Sequence, residues 1–285
     1  MIYYTSKVHN RLNGMDFSPE AVTDTLCLNP QYPVSLSKPC KYILDSGAFQ
    51  DVSDDRRLSF KDALARQLKF ELKLGQFAEA VVSYDRLVDE QKCETGQFKS
   101  RVSESIAEEY VNETVNASRY LSSKREILAP RKLILSCQGS STEQYLRCLK
   151  EILEFAQPED IIGFGGFCII SRSKIYEEQF YEIIKIAFPM IAAKGIKRVH
   201  LFGVGMFRVL LRMELEAKQY GLECSYDTSS AELNAVMGRV FDPSKLQLSA
   251  VFSKDEKNTV YHPAKLALLN IRTINHFWKD LESGI

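Results

Sequence analysis

Polar residues with catalytic potential follow several short apolar runs of this 285-residue chain. The runs at 42–44, 80–84 and 222–226 each end in an aspartate, namely Asp45, Asp85 and Asp227. A carboxylate can act as a general acid or base, or as a nucleophile that forms a covalent intermediate. Aspartate is also favoured as a helix N-cap, so capping is the alternative explanation for each of them taken alone.

Three other apolar runs end in an amide or in exposed backbone. They are followed by Gln138, by Gly165 with Gly166, and by Gly203 with Gly205. Glycine allows a ligand to approach the backbone closely. If all six strand ends meet on one face, then three carboxylates, an amide and two glycine segments share a site. Packing alone does not explain that combination, and it indicates an active site.

The elements that would position these residues alternate between strands and helices. Short apolar runs begin near residues 2, 25, 42, 80, 133, 161, 199 and 222, and a helical pattern follows each run from the third onward. Helical spacing predicts helices over 59–75, 103–123, 142–155, 180–194, 207–220 and 263–282. Eight such units predict a closed (β/α)8 TIM barrel, which places every strand end on one catalytic rim. A doubly wound open sheet is the alternative.

Composition is typical of a globular protein with a full core. The chain is 45% hydrophobic and 26% charged, its net charge is zero, and no linker or repeat divides residues 1–285 into domains. Any contact with nucleic acid must therefore come from a local basic patch rather than from bulk charge. There is no apolar run of membrane-spanning length and no signal-peptide pattern, so no membrane contact is expected.

Cysteine and histidine spacing argues against a metal site. The seven cysteines include no CxxC pair, and the four histidines lie far apart in sequence. Reduced, mostly buried cysteines are typical of a cytoplasmic protein, and we expect neither metal nor cofactor. The segment after Asp85 is rich in charge and is predicted to be a loop.

The strand-end motifs resemble those of tRNA-guanine transglycosylases, the family that exchanges guanine for a 7-deazaguanine base. The family's DSGGFQ motif corresponds to residues 45–50, with Ala48 in place of one glycine. The motifs of the FD, QGG, LGGL, MGVG, FD and GR type correspond, in family order, to residues 84–85, 138–140, 164–167, 202–205, 226–227 and 238–239.

This resemblance implies a role for each matched residue. Asp227 would attack C1′ of the target nucleotide, and Asp45 would protonate the departing guanine and deprotonate the incoming base. Two carboxylates with different tasks suit a double displacement through an oxocarbenium-like state. Phe49 would stack on the heterocycle, Asp85 and Gln138 would read its edge, and the Gly166 N–H would bind its O6. The remaining residues of the implied base pocket are Ser46, Gly165 and Gly205.

The chain also departs from the family pattern. It has no Cys/Cys/Cys/His zinc site of the kind found in the family's C-terminal extension. The acidic residue expected after the Gly-Gly segment is missing, because Gly166 is followed by Phe167, Cys168, Ile169 and Ile170. The identity of the incoming base is therefore open.

Because it is compact and lacks the zinc module, this chain most resembles the DNA-modifying branch of the family, known as DpdA. That reading implies DNA as the partner, a 7-deazaguanine such as preQ0 as the second substrate, and a phosphate-binding patch of Arg239, Arg172 and Lys174. A homodimer is left open. The alternatives are a tRNA transglycosylase without the zinc module, a non-catalytic partner subunit, and an unrelated barrel enzyme that binds phosphate at Gly203 and Gly205.

Overall fold

A computed structural model describes residues 1–7, 10–12, 14–92 and 97–284. The side chains of residues 10, 90–92, 97–100, 172 and 254 lie outside this description. In chain order the strands are β1 (Ile2–Ser6), β2 (Thr25–Leu28), β3 (Lys41–Leu44), β4 (Ala80–Val82), β5 (Asp89–Lys92), β6 (Gln97–Arg101), β7 (Lys132–Cys137), β8 (Ile161–Phe164), β9 (Arg198–Leu201), β10 (Glu223–Asp227), β11 (Arg239–Asp242) and β12 (Gln247–Ala250).

Eight of these strands form a closed parallel barrel in the order β1-β10-β9-β8-β7-β4-β3-β2. The barrel closes because β1 pairs in parallel with both β10 and β2. Each barrel strand lies at one of the eight apolar runs, so the predicted (β/α)8 barrel is confirmed and the open sheet is excluded. The register sets Tyr4 opposite Asp227, and His200 opposite both Ser225 and Gly163.

The helices are α1 (Ala48–Ser53), α2 (Phe60–Leu74), α3 (Glu104–Ser122), α4 (Arg125–Leu128), α5 (Thr142–Phe155), α6 (Lys174–Ala193), α7 (Phe207–Lys218), α8 (Ser230–Val236) and α9 (Pro263–Ser283). The helices α2, α3, α5, α7 and α9 lie where helical spacing predicts them. By contrast, α6 begins earlier than its predicted start at Phe180, because Ser173 caps it by accepting the N–H of Ile175 at 3.2 Å.

The charged segment after Asp85 is a hairpin, so the predicted loop was wrong there. Strands β5 and β6 pair antiparallel through their backbones, a pairing that the charged side chains do not reveal. Arg101, at the end of β6, ties the hairpin to the barrel. Its guanidinium donates to the carbonyls of Ser140 at 2.7 Å and Gly166 at 3.0 Å.

Aromatic packing holds the last barrel strand against the final helix. The indole N–H of Trp278 on α9 donates to the hydroxyl of Tyr226 at 2.9 Å, and Tyr226 stacks on Tyr3 with ring centroids 5.0 Å apart. All three side chains are buried. Because Tyr226 directly precedes Asp227, this cluster fixes the backbone from which that aspartate projects.

A buried ion pair holds the turn after Asp45. Gly47 has a φ of +78°, and Arg66 donates to the carbonyl of Ser46 at 2.7 Å. The same guanidinium binds both carboxylate oxygens of Asp51, at 3.0 and 2.8 Å. The side chain of Asp51 is only 1% exposed, and it also accepts from the Tyr84 hydroxyl at 2.9 Å.

We expect Asp51→Asn to lower the free energy of unfolding by about 2–4 kcal/mol, because it leaves the Arg66 charge half-buried without its partner. Asp54→Asn is the matched control. It removes a charge paired with Arg56 at the surface, where such pairs contribute no more than about 1 kcal/mol. Urea unfolding at pH 7 measures both, and equal losses would contradict a supporting role for the Asp51 pair.

Candidate active site

One cavity opens at the carboxyl ends of the barrel strands, with a volume of about 530 Å³. It brings together most of the residues that the sequence singles out. Its lining includes Asp45, Ser46, Phe49, Asp85, Gln138, Gly165, Gly166 and Asp227. The carboxyl ends of parallel strands are where enzymes of this fold carry their active sites.

Asp45 lies just beyond the end of β3 and is held by its neighbours. Its carboxylate accepts the N–H of Ser46 at 2.8 Å and the amide of Asn29 at 3.2 Å. Burial raises the pKa of Asp45 to about 7, and the negative charges of Asp227 and Asp85 add to the increase. A carboxyl group with that pKa can both give and take a proton near neutral pH.

Asp85 and Gln138 form a buried pair at the inner wall of the cavity. The Gln138 amide donates to Asp85 Oδ2 at 2.5 Å, and burial raises the pKa of Asp85. The Gln138 Oε1 atom is buried and has no hydrogen-bond partner among the described residues. Glycine is required beside the pair, because a side chain at Gly165 would collide with the Gln138 amide.

Asp227 ends β10 and contacts a residue that sequence reasoning missed. Its Oδ1 lies 3.1 Å from Nε2 of His200 and 3.4 Å from the backbone N of Gly203. His200 is fully buried, whereas the side chain of Asp227 is 23% exposed. In the sequence His200 stands inside the apolar run of β9, which is typical of a core residue. Its contact with Asp227 depends on the folded chain, because the two residues are 27 positions apart.

Ser46 lies on the turn between β3 and α1, and Phe49 lies in the first turn of α1. Phe49 is 37% exposed and lines the cavity. Ser46 is buried, and its hydroxyl accepts the N–H of Ala48 at 3.2 Å. Ser46 therefore shapes the turn as well as lining the cavity.

Gly205, Arg239 and Lys174, which were predicted to bind ligands, are not among the described residues that line the cavity. A side chain at Gly205 would collide with Ser230, so this glycine serves close packing against α8. Arg239 lies on the exposed hairpin β11–β12 and donates to Asn234 at 3.2 Å. Lys174 is exposed at the start of α6, and the side chain of Arg172 lies outside the described residues.

Several residues that line the cavity belong to none of the motifs singled out in the sequence. They include Lys7, Arg11, Asn29 and, from the hairpin, Asp89. Burial raises the pKa of Asp89 to about 6, although the nearby positive charge of Arg101 lowers it. Charged and polar residues outside regular motifs are usually solvated, so the sequence alone does not distinguish these cavity residues from ordinary surface residues.

Within the described ranges, His, Cys, Asp and Glu side chains form no group of three or more that could hold a metal ion. Over the same residues, no helix combines the length and the apolar character needed to cross a bilayer.

Fold and site together define a parallel (β/α)8 barrel with an acidic cavity at the carboxyl ends of its strands. No protein-family model matches the chain, and no curated protein matches it. Among solved structures it is similar to "a putative fructose-1,6-biphosphate aldolase from Coccidioides immitis", at 9% identity and a TM-score of 0.48 over 97% of this chain and 90% of that one. It is also similar to pyruvate carboxylase from Rhizobium etli, at 10% identity and a TM-score of 0.35 over 99% of this chain and 28% of that one.

The raised pKa of Asp45 predicts a pH-dependent cost to stability. The folded protein keeps this proton up to a pH near 7, whereas an unfolded aspartate loses it near 3.9, so wild type loses stability as pH rises between those values. Asp45→Asn removes that loss. Relative to wild type, the variant should gain about 3 kcal/mol in free energy of unfolding between pH 5 and pH 8, because about two pKa units of the loss fall in that window at 1.36 kcal/mol per unit.

Urea unfolding at the two pH values measures this gain. Asp55→Asn is the control, because Asp55 is exposed and its φ of +52° is one that asparagine adopts readily. A difference between Asp45→Asn and wild type that does not change with pH would contradict the raised pKa.

Proposed function

We propose that this protein is a base-exchange transglycosylase that replaces guanine in DNA with a 7-deazaguanine through a covalent Asp227 intermediate. The observation that carries the proposal is that Asp45 and Asp227 line one cavity, where burial and the negative charge of Asp227 raise the pKa of Asp45 to about 7. The buried Asp85–Gln138 pair in the same cavity supplies a means of reading a heterocycle.

In the first half-reaction, Asp227 Oδ2 attacks C1′ of the target nucleotide and the bond from C1′ to N9 breaks. The proton of Asp45 neutralises the departing guanine, which leaves Asp45 ionised. In the second half-reaction, the incoming base gives its N9 proton to Asp45, N9 attacks C1′, and the bond from C1′ to Oδ2 breaks. Asp45 returns to its protonated state, so one residue with a pKa near 7 serves both halves.

Recognition of the base is supported by the polar atoms of the inner wall. The partnerless Gln138 Oε1 atom is an acceptor that a ring N–H or amino group would satisfy. Asp85 beside it can accept a second donor, and the Gly166 backbone lies at the same wall. The 2-amino-6-oxo edge of guanine carries donors and an acceptor in the mixture that this wall can satisfy.

DNA as the substrate rests on the family resemblance together with the geometry of the cavity. A base must leave its helical stack to reach the carboxyl ends of barrel strands, and this costs a few kcal/mol. Lys7 and Arg11 line the cavity and bring positive charge to it, and Lys7 is also paired with Glu20 at 2.5 Å. Arg239, on its exposed hairpin, is the residue we assign to more distant phosphates.

The covalent step is tested with guanine-containing DNA and denaturing electrophoresis. Wild type should give a denaturant-resistant protein–DNA complex and release guanine, whereas Asp227→Ala, lacking the nucleophile, should give neither. Asp255→Ala, a change of the same type at an aspartate remote in sequence from the motifs, is the control. Equal complex from Asp227→Ala and wild type would reject Asp227 as the nucleophile.

The substrate is tested by incubating the enzyme with labelled 7-deazaguanine and duplex DNA, single-stranded DNA or tRNA. We expect label in DNA, and more in single strands than in duplex because no pairing has to be broken.

Arg239→Ala should weaken DNA binding and reduce its dependence on salt, because one phosphate contact is lost. Arg272→Ala, at an exposed position on α9, should change neither. Label in tRNA alone would overturn the DNA substrate, and label in neither would favour the non-catalytic alternative.

A further inference from the structure

His200 occupies the centre of a hydrogen-bonded chain that ends at Asp227. It is fully buried, with its ring 4.7 Å from that of Phe202 and 5.9 Å from that of Tyr4, centroid to centroid. The Nδ1 atom lies 2.9 Å from the hydroxyl of Ser225, and Nε2 lies 3.1 Å from Asp227 Oδ1. Both ring nitrogens therefore have partners, and the two aromatic rings leave the imidazole little freedom to rotate.

The partner at Nε2 determines which tautomer of His200 fits this chain. A carboxylate oxygen accepts hydrogen bonds, so the ring carries its proton on Nε2 and donates it to Asp227 Oδ1 at 3.1 Å. The Nδ1 atom then accepts the hydroxyl proton of Ser225 at 2.9 Å, and the Ser225 oxygen also lies 3.1 Å from the carbonyl oxygen of Val199. One proton on Nε2 therefore lies between the ring and Oδ1.

Hydrogen bonding distinguishes the two carboxylate oxygens of Asp227. Both hydrogen bonds that the described residues make to this side chain, from His200 and from the backbone of Gly203, reach Oδ1. The other oxygen, Oδ2, is left for a ligand in the cavity that Asp227 lines. An ester formed through Oδ2 would keep Oδ1 as its carbonyl oxygen, still facing His200.

We propose that His200 is a positioning residue that controls the release of the Asp227 carboxylate in the second half-reaction, an inference that rests on the proposed function. When the bond from C1′ to Oδ2 breaks, its electron pair returns to the carboxylate, and the negative charge is shared with Oδ1. The N–H of His200 stabilises that charge as it forms. No atom passes between His200 and the substrate. The proton between Nε2 and Oδ1 also keeps Asp227 compatible with Asp45 and Asp85 in one cavity.

The prediction concerns the breakdown of the covalent intermediate rather than its formation. His200→Phe retains a ring of similar size but has no donor, so the carboxylate becomes a poorer leaving group. We expect the ester to break down roughly 10- to 100-fold more slowly, the range for loss of one hydrogen bond to a charged group. The dissociation constant for DNA should stay unchanged, because His200 does not line the cavity.

His200→Gln separates the donor from the shape of the ring. The glutamine amide brings an N–H toward the same oxygen without an aromatic ring or a charge, and it should restore most of the breakdown rate. His276→Phe is the matched control, because His276 is exposed on α9. The complex is formed first with DNA alone, and 7-deazaguanine is then added while the remaining complex is followed over time. Circular dichroism and urea unfolding establish that each variant is folded.

Three results would overturn the inference. The first is breakdown by His200→Phe at the wild-type rate. The second is a folded His200→Gln that is as slow as His200→Phe, which would mean that only the shape of the ring matters. The third is an equal slowing of formation and breakdown, which is what a general loss of structure would produce.

A separate measurement distinguishes failure of this inference from failure of the proposed function. If wild type forms no complex with any guanine-containing nucleic acid, the proposed function fails. The hydrogen bond itself can still be tested by ¹⁵N NMR of histidine-labelled protein, which contains only four histidines. Asp227→Asn should shift the Nε2 resonance of His200, whereas Asp255→Asn should not. An unshifted resonance would overturn the His200–Asp227 contact.

Discussion

Repulsion among carboxylates in one poorly solvated cavity is the constraint on which the rest of the site depends. Asp45, Asp85 and Asp227 line the same space, and a charge of one sign raises the free energy of adding another. The three carboxyl groups have different surroundings. Asp45 keeps its proton up to a pH near 7. Asp85 accepts a hydrogen bond from the Gln138 amide, and Asp227 is hydrogen-bonded to His200. Different surroundings around chemically identical groups are what allow an acid–base role and a nucleophilic role to coexist.

The polar chains behind these carboxylates keep the arrangement rigid. Arg66 and Asp51 hold the turn that follows Asp45, and the packing of Trp278 on Tyr226 holds the strand that precedes Asp227. These contacts come from α2 and α9, which lie on the outside of the barrel. The outer helices thus determine the geometry of a cavity that they do not line.

Glycine in β8 and in the turn after it creates the space that the site requires. A side chain at Gly163 would meet the ring of Phe202 at 2.5 Å, and one at Gly165 would collide with Gln138. Phe202 in turn packs against His200. Because Gly163 and Gly165 have no side chains, Phe202 and Gln138 from neighbouring segments fit beside them. Gln138 then contacts Asp85, and Phe202 packs against His200, which contacts Asp227.

Local sequence determined the barrel, because each of its eight strands is a short apolar run and the long outer helices repeat their apolar residues with helical spacing. Because parallel barrel strands end on one face, the positions of Asp45, Asp85, Gln138 and Asp227 at strand ends already imply that the four share one rim. The role of His200 could not be predicted in this way, because a histidine within a buried strand reads as core until its neighbours in space are known. The hairpin after Asp85 and the pKa of Asp45 likewise depend on contacts between distant segments. Backbone pairing, burial and charge–charge distance exist only in the folded chain, so tertiary structure alone decided them.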